Sequence, residues 1–184
     1  TVSALSILGL IPTPPGKIVG GQILFQGKNL LQLDEKELQQ IRGNRIAMVF
    51  QEPMTSLNPV FTIGDQIGEA VSTHRNIAAE ELHEYCTRLL KDVGIPLPEQ
   101  RLKDYPHQLS GGMAQRIMIA MAISCTPQLI IADEPTSSLD IYTQNQIFNL
   151  LLSLKNEYKF SILLITHDLN LVSQYADKIA VMQT

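Results

Sequence analysis

The chain has 184 residues, 45% of them hydrophobic and 17% charged, a balance that excludes general disorder and suits one domain with a sizeable core, or two small ones at most. With 14 Lys and Arg against 18 Asp and Glu the formal net charge is -4, which lacks the basic footprint of a nucleic-acid binder. The low charged fraction also predicts that part of the surface is covered by a partner.

In chain order, residues 2–10 read as a helix, with Val2, Leu5, Ile7 and Leu8 apolar, closed by Pro12, Pro14, Pro15 and Gly16. Residues 20–30 carry the alternation Ile23, Phe25 and a Gly27-Lys28-Asn29 turn, as expected of a half-exposed antiparallel strand. A short helix over 35–41 and a strand over 46–50 follow. From about 64 to 108 the period is helical, with Leu82, Cys86, Leu89, Leu90 and Val93 on one face. We read this as an inserted helical subdomain at about 52–125.

Beyond it the pattern predicts a helix over 113–124, a strand over 129–132, a helix over 142–155 with Ile147, Leu150, Leu151 and Leu154 inward, and a strand over 162–165. This is a βαβ unit. Its strands are apolar on both faces, as in parallel sheets covered above and below by helices. A further strand is expected over 179–182. The longest apolar stretch, 117–125, is about half a membrane span, and no signal peptide opens the chain. Cys86 and Cys125 lack CxxC spacing, which argues for a reducing compartment and against a disulfide framework or zinc site.

Three strand-like runs end in polar groups: 46–50 in Gln51, 129–132 in Asp133-Glu134, and 162–165 in Thr166-His167. Ligands of parallel sheets bind outside the carboxyl ends of strands, so Gln51, Asp133, Glu134 and His167 are expected to converge. Taken singly, the Asp-Glu pair is equally a helix cap or solvated turn, and the histidine a hydrogen-bonded core residue. Together they suit nucleotide hydrolysis, with the first carboxylate on Mg²⁺ and the second polarising the attacking water. Leu109-Ser110-Gly111-Gly112 before a helix offers amide donors to an anion, although an N-cap after a flexible turn reads the same way. His74, His83 and His107 lack metal-ligand spacing, Met113, Met118 and Met121 read as packing residues, and Lys36, Arg42 and Arg45 as a solvated basic face.

Leu109-Ser110-Gly111-Gly112-Met113-Ala114-Gln115-Arg116 resembles the signature motif of ATP-binding cassette ATPases. Residues 129–135 resemble the family's Walker B strand, 137–140 its D-loop, Gln51 its Q-loop glutamine and His167 its switch histidine. Residues 50–59 and 105–108 resemble the oligopeptide, dipeptide and nickel importer branch, which also commonly has Met where Met113 stands. Ala114 departs from that branch and carries no functional claim.

The resemblance implies an α/β fold of P-loop NTPase type, with a mainly parallel core sheet, antiparallel N-terminal strands and the helical insertion. It further implies ATP and Mg²⁺ as ligands. Glu134, His167 and Gln51 would be catalytic; Ser110, Gly111, Gly112, Gln115, Asp140 and Thr1 would bind nucleotide; Asp133, Gln51 and Thr1 would serve the metal. Two cassettes, in a homo- or heterodimer, would sandwich two ATP molecules, each held by the Walker and switch residues of one copy and Ser110-Gly111-Gly112 of the other.

Membrane permeases would be partners, through residues 52–59, and a solute-binding protein an indirect one, at the cytoplasmic face of the membrane. A soluble cassette ATPase is the alternative, but 59 positions between Gln51 and Ser110 leave no room for a long coiled-coil arm. A non-catalytic fragment is a third reading, because no GxxxxGK[ST] occurs and both ends look cut, with Thr1 at the last position of that motif. Without that loop's lysine and amides, the chain as given is expected, on the main reading, to bind ATP weakly, turn over negligibly and tend to aggregate.

Overall fold

The computed structural model describes residues 1–182. Helix α1 (Val2–Ile7) leads through a proline-rich loop into a hairpin of β1 (Leu24–Phe25) and β2 (Lys28–Asn29). The hairpin turn is Gln26-Gly27, one residue earlier than expected, and both residues have positive φ, +50° and +79°. Such a pair matches the right-handed twist of the flanking strands. Helix α2 (Glu35–Ile41) starts at a capping box in which Asp34 and Glu37 each accept the other's backbone N–H.

Strand β3 (Ile46–Val49) opens the parallel sheet, and five helices follow before the next strand: α3 (Pro53–Ser56), α4 (Ile63–Ser72), α5 (Ala79–Asp92), α6 (Pro98–Arg101) and α7 (Gly111–Ile123). Then come β4 (Leu129–Asp133), α8 (Ile141–Tyr158), β5 (Ser161–Ile165) and α9 (Leu169–Tyr175). The sheet order is β3-β4-β5, all parallel, with Ile46 opposite Leu129 and Leu129 opposite Ser161. Among the described residues no helix is long and apolar enough to cross a membrane.

Because side chains alternate along a strand, Ile130 and Ile131 of β4 feed opposite faces. Ile130 belongs to one buried cluster together with Ile63, Ile67, Leu89, Leu90 and Ile117 of the helical insertion; Ile131 belongs to a second with Ala4 and Leu8 of the α1 segment and Ile46 of β3. The insertion therefore shares its core with the sheet.

Three expectations are corrected. Strand β5 is half exposed, with Leu163 38% accessible, because the helices cover the centre of the sheet at β4 while β5 has a strand neighbour on one side only. Residues 179–182 form no strand, and Ile179, Val181 and Met182 are exposed. Arg42 and Arg45 are not a solvated face: Arg42 pairs with Glu35 and donates to the Leu8 and Gly9 carbonyls at 2.6 and 3.2 Å, closing the end of α1. The Arg45 guanidinium lies 5.4 Å from the Phe25 ring centroid, joining the hairpin to the sheet. Lys36 is exposed as expected.

Burial on α5 pushes the Cys86 thiol up to about 11, from an ordinary 9.0. At pH 8 its thiolate fraction is then about a hundredfold below that of an ordinary thiol. Alkylation by iodoacetamide, followed by peptide mass spectrometry, should leave Cys86 unmodified in the folded protein and modify it readily in denaturant.

Candidate active site

The sheet register carries the polar strand ends to one edge. Ala132 lies opposite both Val49 and Leu164, so the residues just beyond these positions emerge side by side. Glu134 is the hub. Its Oε2 accepts from the Gln51 amide nitrogen at 3.1 Å, and its Oε1 lies 3.1 Å from His167 Nδ1. All three residues expected to be catalytic are thus in contact.

Glu134 reaches this place through a left-handed backbone, φ +45°, a conformation that costs a non-glycine residue energy and persists only where neighbours hold it. The Glu134 N–H donates to the Ile165 carbonyl at 2.9 Å, while the Glu134 carbonyl accepts from Ser137 N and Ser137 Oγ, each at 3.2 Å. Pro135 and Thr136 are buried inside that turn.

Asp133 is 2% exposed, and its Oδ1 has no hydrogen-bond partner. The charged Thr1 amino group forms an ion pair with that oxygen at 3.2 Å, without hydrogen-bond geometry. The two residues expected at a cation are therefore adjacent, while Gln51, expected there as well, is engaged with Glu134. A buried carboxylate oxygen that accepts no hydrogen bond and already faces a positive charge fits a hard cation. Among the described residues no group of three or more His, Cys, Asp or Glu side chains could hold a metal, so Asp133 offers a single carboxylate. That suits Mg²⁺, which is usually held by one or two carboxylates together with substrate phosphates.

A depression of about 110 Å³ opens beside the hub, with Glu134, Thr136, Ser137, Gln144, Thr166 and His167 in its walls. Residues 110–112 do not line it. Ser110 caps α7, its Oγ accepting from Met113 N at 3.3 Å, while Gly111 faces Leu139 and Gly112 faces Thr143 of α8. A Cβ at Gly112 would meet Thr143 Cγ2 at 3.1 Å, close enough to explain glycine there.

Gln115 is buried, 1% exposed, with neither amide atom partnered, so its side chain is not presented at the surface. Asp140 is exposed and caps α8, accepting from Thr143 Oγ1 at 2.6 Å and from the Tyr142 and Thr143 amides, each at 3.1 Å. Those bonds, the Thr143 hydroxyl first, hold its carboxyl below the usual range. Residues 53–56, within the stretch expected to meet the permeases, make the short helix α3 and leave Met54 exposed. His74 Nδ1 is buried without a partner, and His83 and His107 are exposed.

Thr136 and Gln144 belong to the depression but were not singled out from the sequence, and Thr166 was marked there only as the neighbour of His167 at a strand end. Gln144 sits in an ordinary polar stretch of a helix, Thr143-Gln144-Asn145-Gln146, with nothing local to mark it.

The family model described as "ABC transporter" matches residues 4–137. The chain is 50% identical over 182 residues to a "Probable peptide ABC transporter ATP-binding protein" of Sinorhizobium fredii, covering 99% of this chain and 54% of the relative. It is 49% identical over 182 residues to the dipeptide transport ATP-binding protein DppD of Bacillus subtilis, again covering 99% and 54%. The chain thus spans about half the length of the curated relatives it matches. Among solved structures, the dimeric ATP-binding cassette MJ0796 bound to ADP and Pi superposes with a TM-score of 0.73 at 31% identity, over 91% of this chain and 71% of that one. Fold, motif order and family match agree, and the chain belongs to the ABC transporter ATP-binding cassette family.

Proposed function

We propose that the protein of which this chain is the cassette binds and hydrolyses ATP to energise an importer of peptides, nickel or related small solutes. The observation that carries the reading is the Glu134 carboxylate, held between Gln51 and His167 beside the buried Asp133. About 50% identity to peptide-transport ATP-binding proteins supports the transport assignment.

In this reading Glu134 accepts the proton of the attacking water, Gln51 and His167 fix the direction of its oxygens, and Asp133 with Thr1 holds Mg²⁺. When bound, that ion polarises phosphate oxygens as a Lewis acid. Ser110, Gly111 and Gly112 serve the nucleotide of a second cassette, with Asp140 at the same junction. Residues 52–59, at the start of the helical unit 52–125, meet the permeases at the cytoplasmic face of the membrane, and a solute-binding protein delivers cargo to those permeases.

The full-length protein, co-purified with its permeases, should hydrolyse ATP in the presence of Mg²⁺. Its Asp133→Asn variant should lose at least about tenfold in turnover and abolish uptake of a labelled dipeptide or oligopeptide. Hydrolysis untouched by Asp133→Asn would overturn the site assignment, and uptake untouched by it would overturn the transport role.

A further inference from the structure

Gln144 projects from the first turn of α8 into the wall of the depression, and its amide nitrogen donates to two carbonyls: Thr136 at 2.9 Å and Leu139 at 3.2 Å. These carbonyls bracket residues 137 and 138, which are exposed. One NH₂ group thus spends both its protons on the two ends of a single loop. The same loop is joined to Glu134, since Ser137 N and Oγ donate to the Glu134 carbonyl and Leu139 N donates to the Thr136 carbonyl. At its far end the Leu139 side chain lies under Gly111, where a Cβ would stand 3.6 Å from Leu139 Cδ2.

We propose that Gln144 is a positioning residue: it clamps residues 136–139, and through their turn it holds Glu134 in the left-handed backbone that aims its carboxylate at Gln51 and His167. The inference rests on the ATPase reading for its catalytic consequence, but the clamp itself does not. Gln144 touches neither Glu134 nor His167 through a hydrogen bond among the described residues, so its effect on turnover passes through the loop. A strained backbone relaxes when one of its restraints is removed. Losing two neutral hydrogen bonds from such a restraint should show as about a tenfold fall in kcat, with little change in the affinity for ATP.

The test uses the full-length protein in its dimeric, permease-bound form and two variants. Gln144→Met keeps the length of the side chain and removes both donors, while Gln144→Lys keeps a donor. Deuterium uptake in the peptide spanning residues 134–140 should rise in Gln144→Met, kcat should fall about tenfold and KM for ATP should stay within about twofold. Gln144→Lys should recover at least about a third of the lost turnover and most of the exchange protection.

Unchanged uptake in Gln144→Met would overturn the clamp. Raised uptake with unchanged kcat, or a rise in KM alone, would overturn its role in positioning Glu134. If the unsubstituted protein did not hydrolyse ATP, the proposed function would fail, and the catalytic part of this inference with it, while the exchange comparison would still decide whether the clamp exists.

Discussion

Replacing Glu134 by Gln should lower steady-state ATP hydrolysis of the full-length protein by about a hundredfold or more, while ATP binding persists and the dimer stays closed. The magnitude is that of a general base, whose removal typically costs about 10²–10⁴ in rate. The substitution is nearly isosteric, and the Gln51 and His167 contacts at 3.1 Å can re-form with an amide by choice of flip and tautomer. Asp133, which is buried separately on β4, is untouched. Binding should therefore survive while proton acceptance is lost. Single-turnover hydrolysis and size-exclusion chromatography with ATP separate the two effects. Undiminished turnover would remove Glu134 from the base role.

The second large effect is expected at the signature glycines. Gly111→Asp should abolish ATP-dependent dimer closure and leave ATP affinity of the monomer nearly intact. The fold has room for it: Gly111 is exposed, and a Cβ there meets only Leu139 Cδ2, at the ordinary contact distance of 3.6 Å. Gly112 is the poorer test, because its Cβ would press on Thr143 Cγ2 at 3.1 Å and a folding defect would confuse the result. A carboxylate at 111 would place negative charge at the amide end of α7, where we propose the partner's nucleotide phosphate sits, and like charges repel. In mixed dimers carrying Gly111→Asp in one copy and Glu134→Gln in the other, the two sites should differ in turnover. Equal turnover at both would overturn the assignment across the dimer.

What the sequence determined by itself is where the polar strand ends meet. Apolar runs of four or five residues closed by Gln51, Asp133-Glu134 and His167 mark strands whose carboxyl ends share an edge, and hydrogen bonding in parallel register leaves little freedom in where those residues emerge. The helical insertion was legible for a similar reason: the spacing of Leu82, Cys86, Leu89, Leu90 and Val93 survives as a buried or partly buried stripe on α5 and the residue after it.

Only the tertiary structure decided the rest, because it depends on pairs far apart in the chain. Arg42 looked like a surface charge until the Leu8 carbonyl, 34 residues earlier, came within 2.6 Å. Strand β5 looked fully covered, since its apolar run is as long as that of β4, yet exposure depends on which strand lies at the centre of the sheet. Gln144 carries no local signal, as its role is set by two carbonyls that reach its amide only after the chain has turned between β4 and α8. Residue type and spacing specify what a backbone segment tends to become; which side chain meets which carbonyl is fixed only when the packed core brings the segments together.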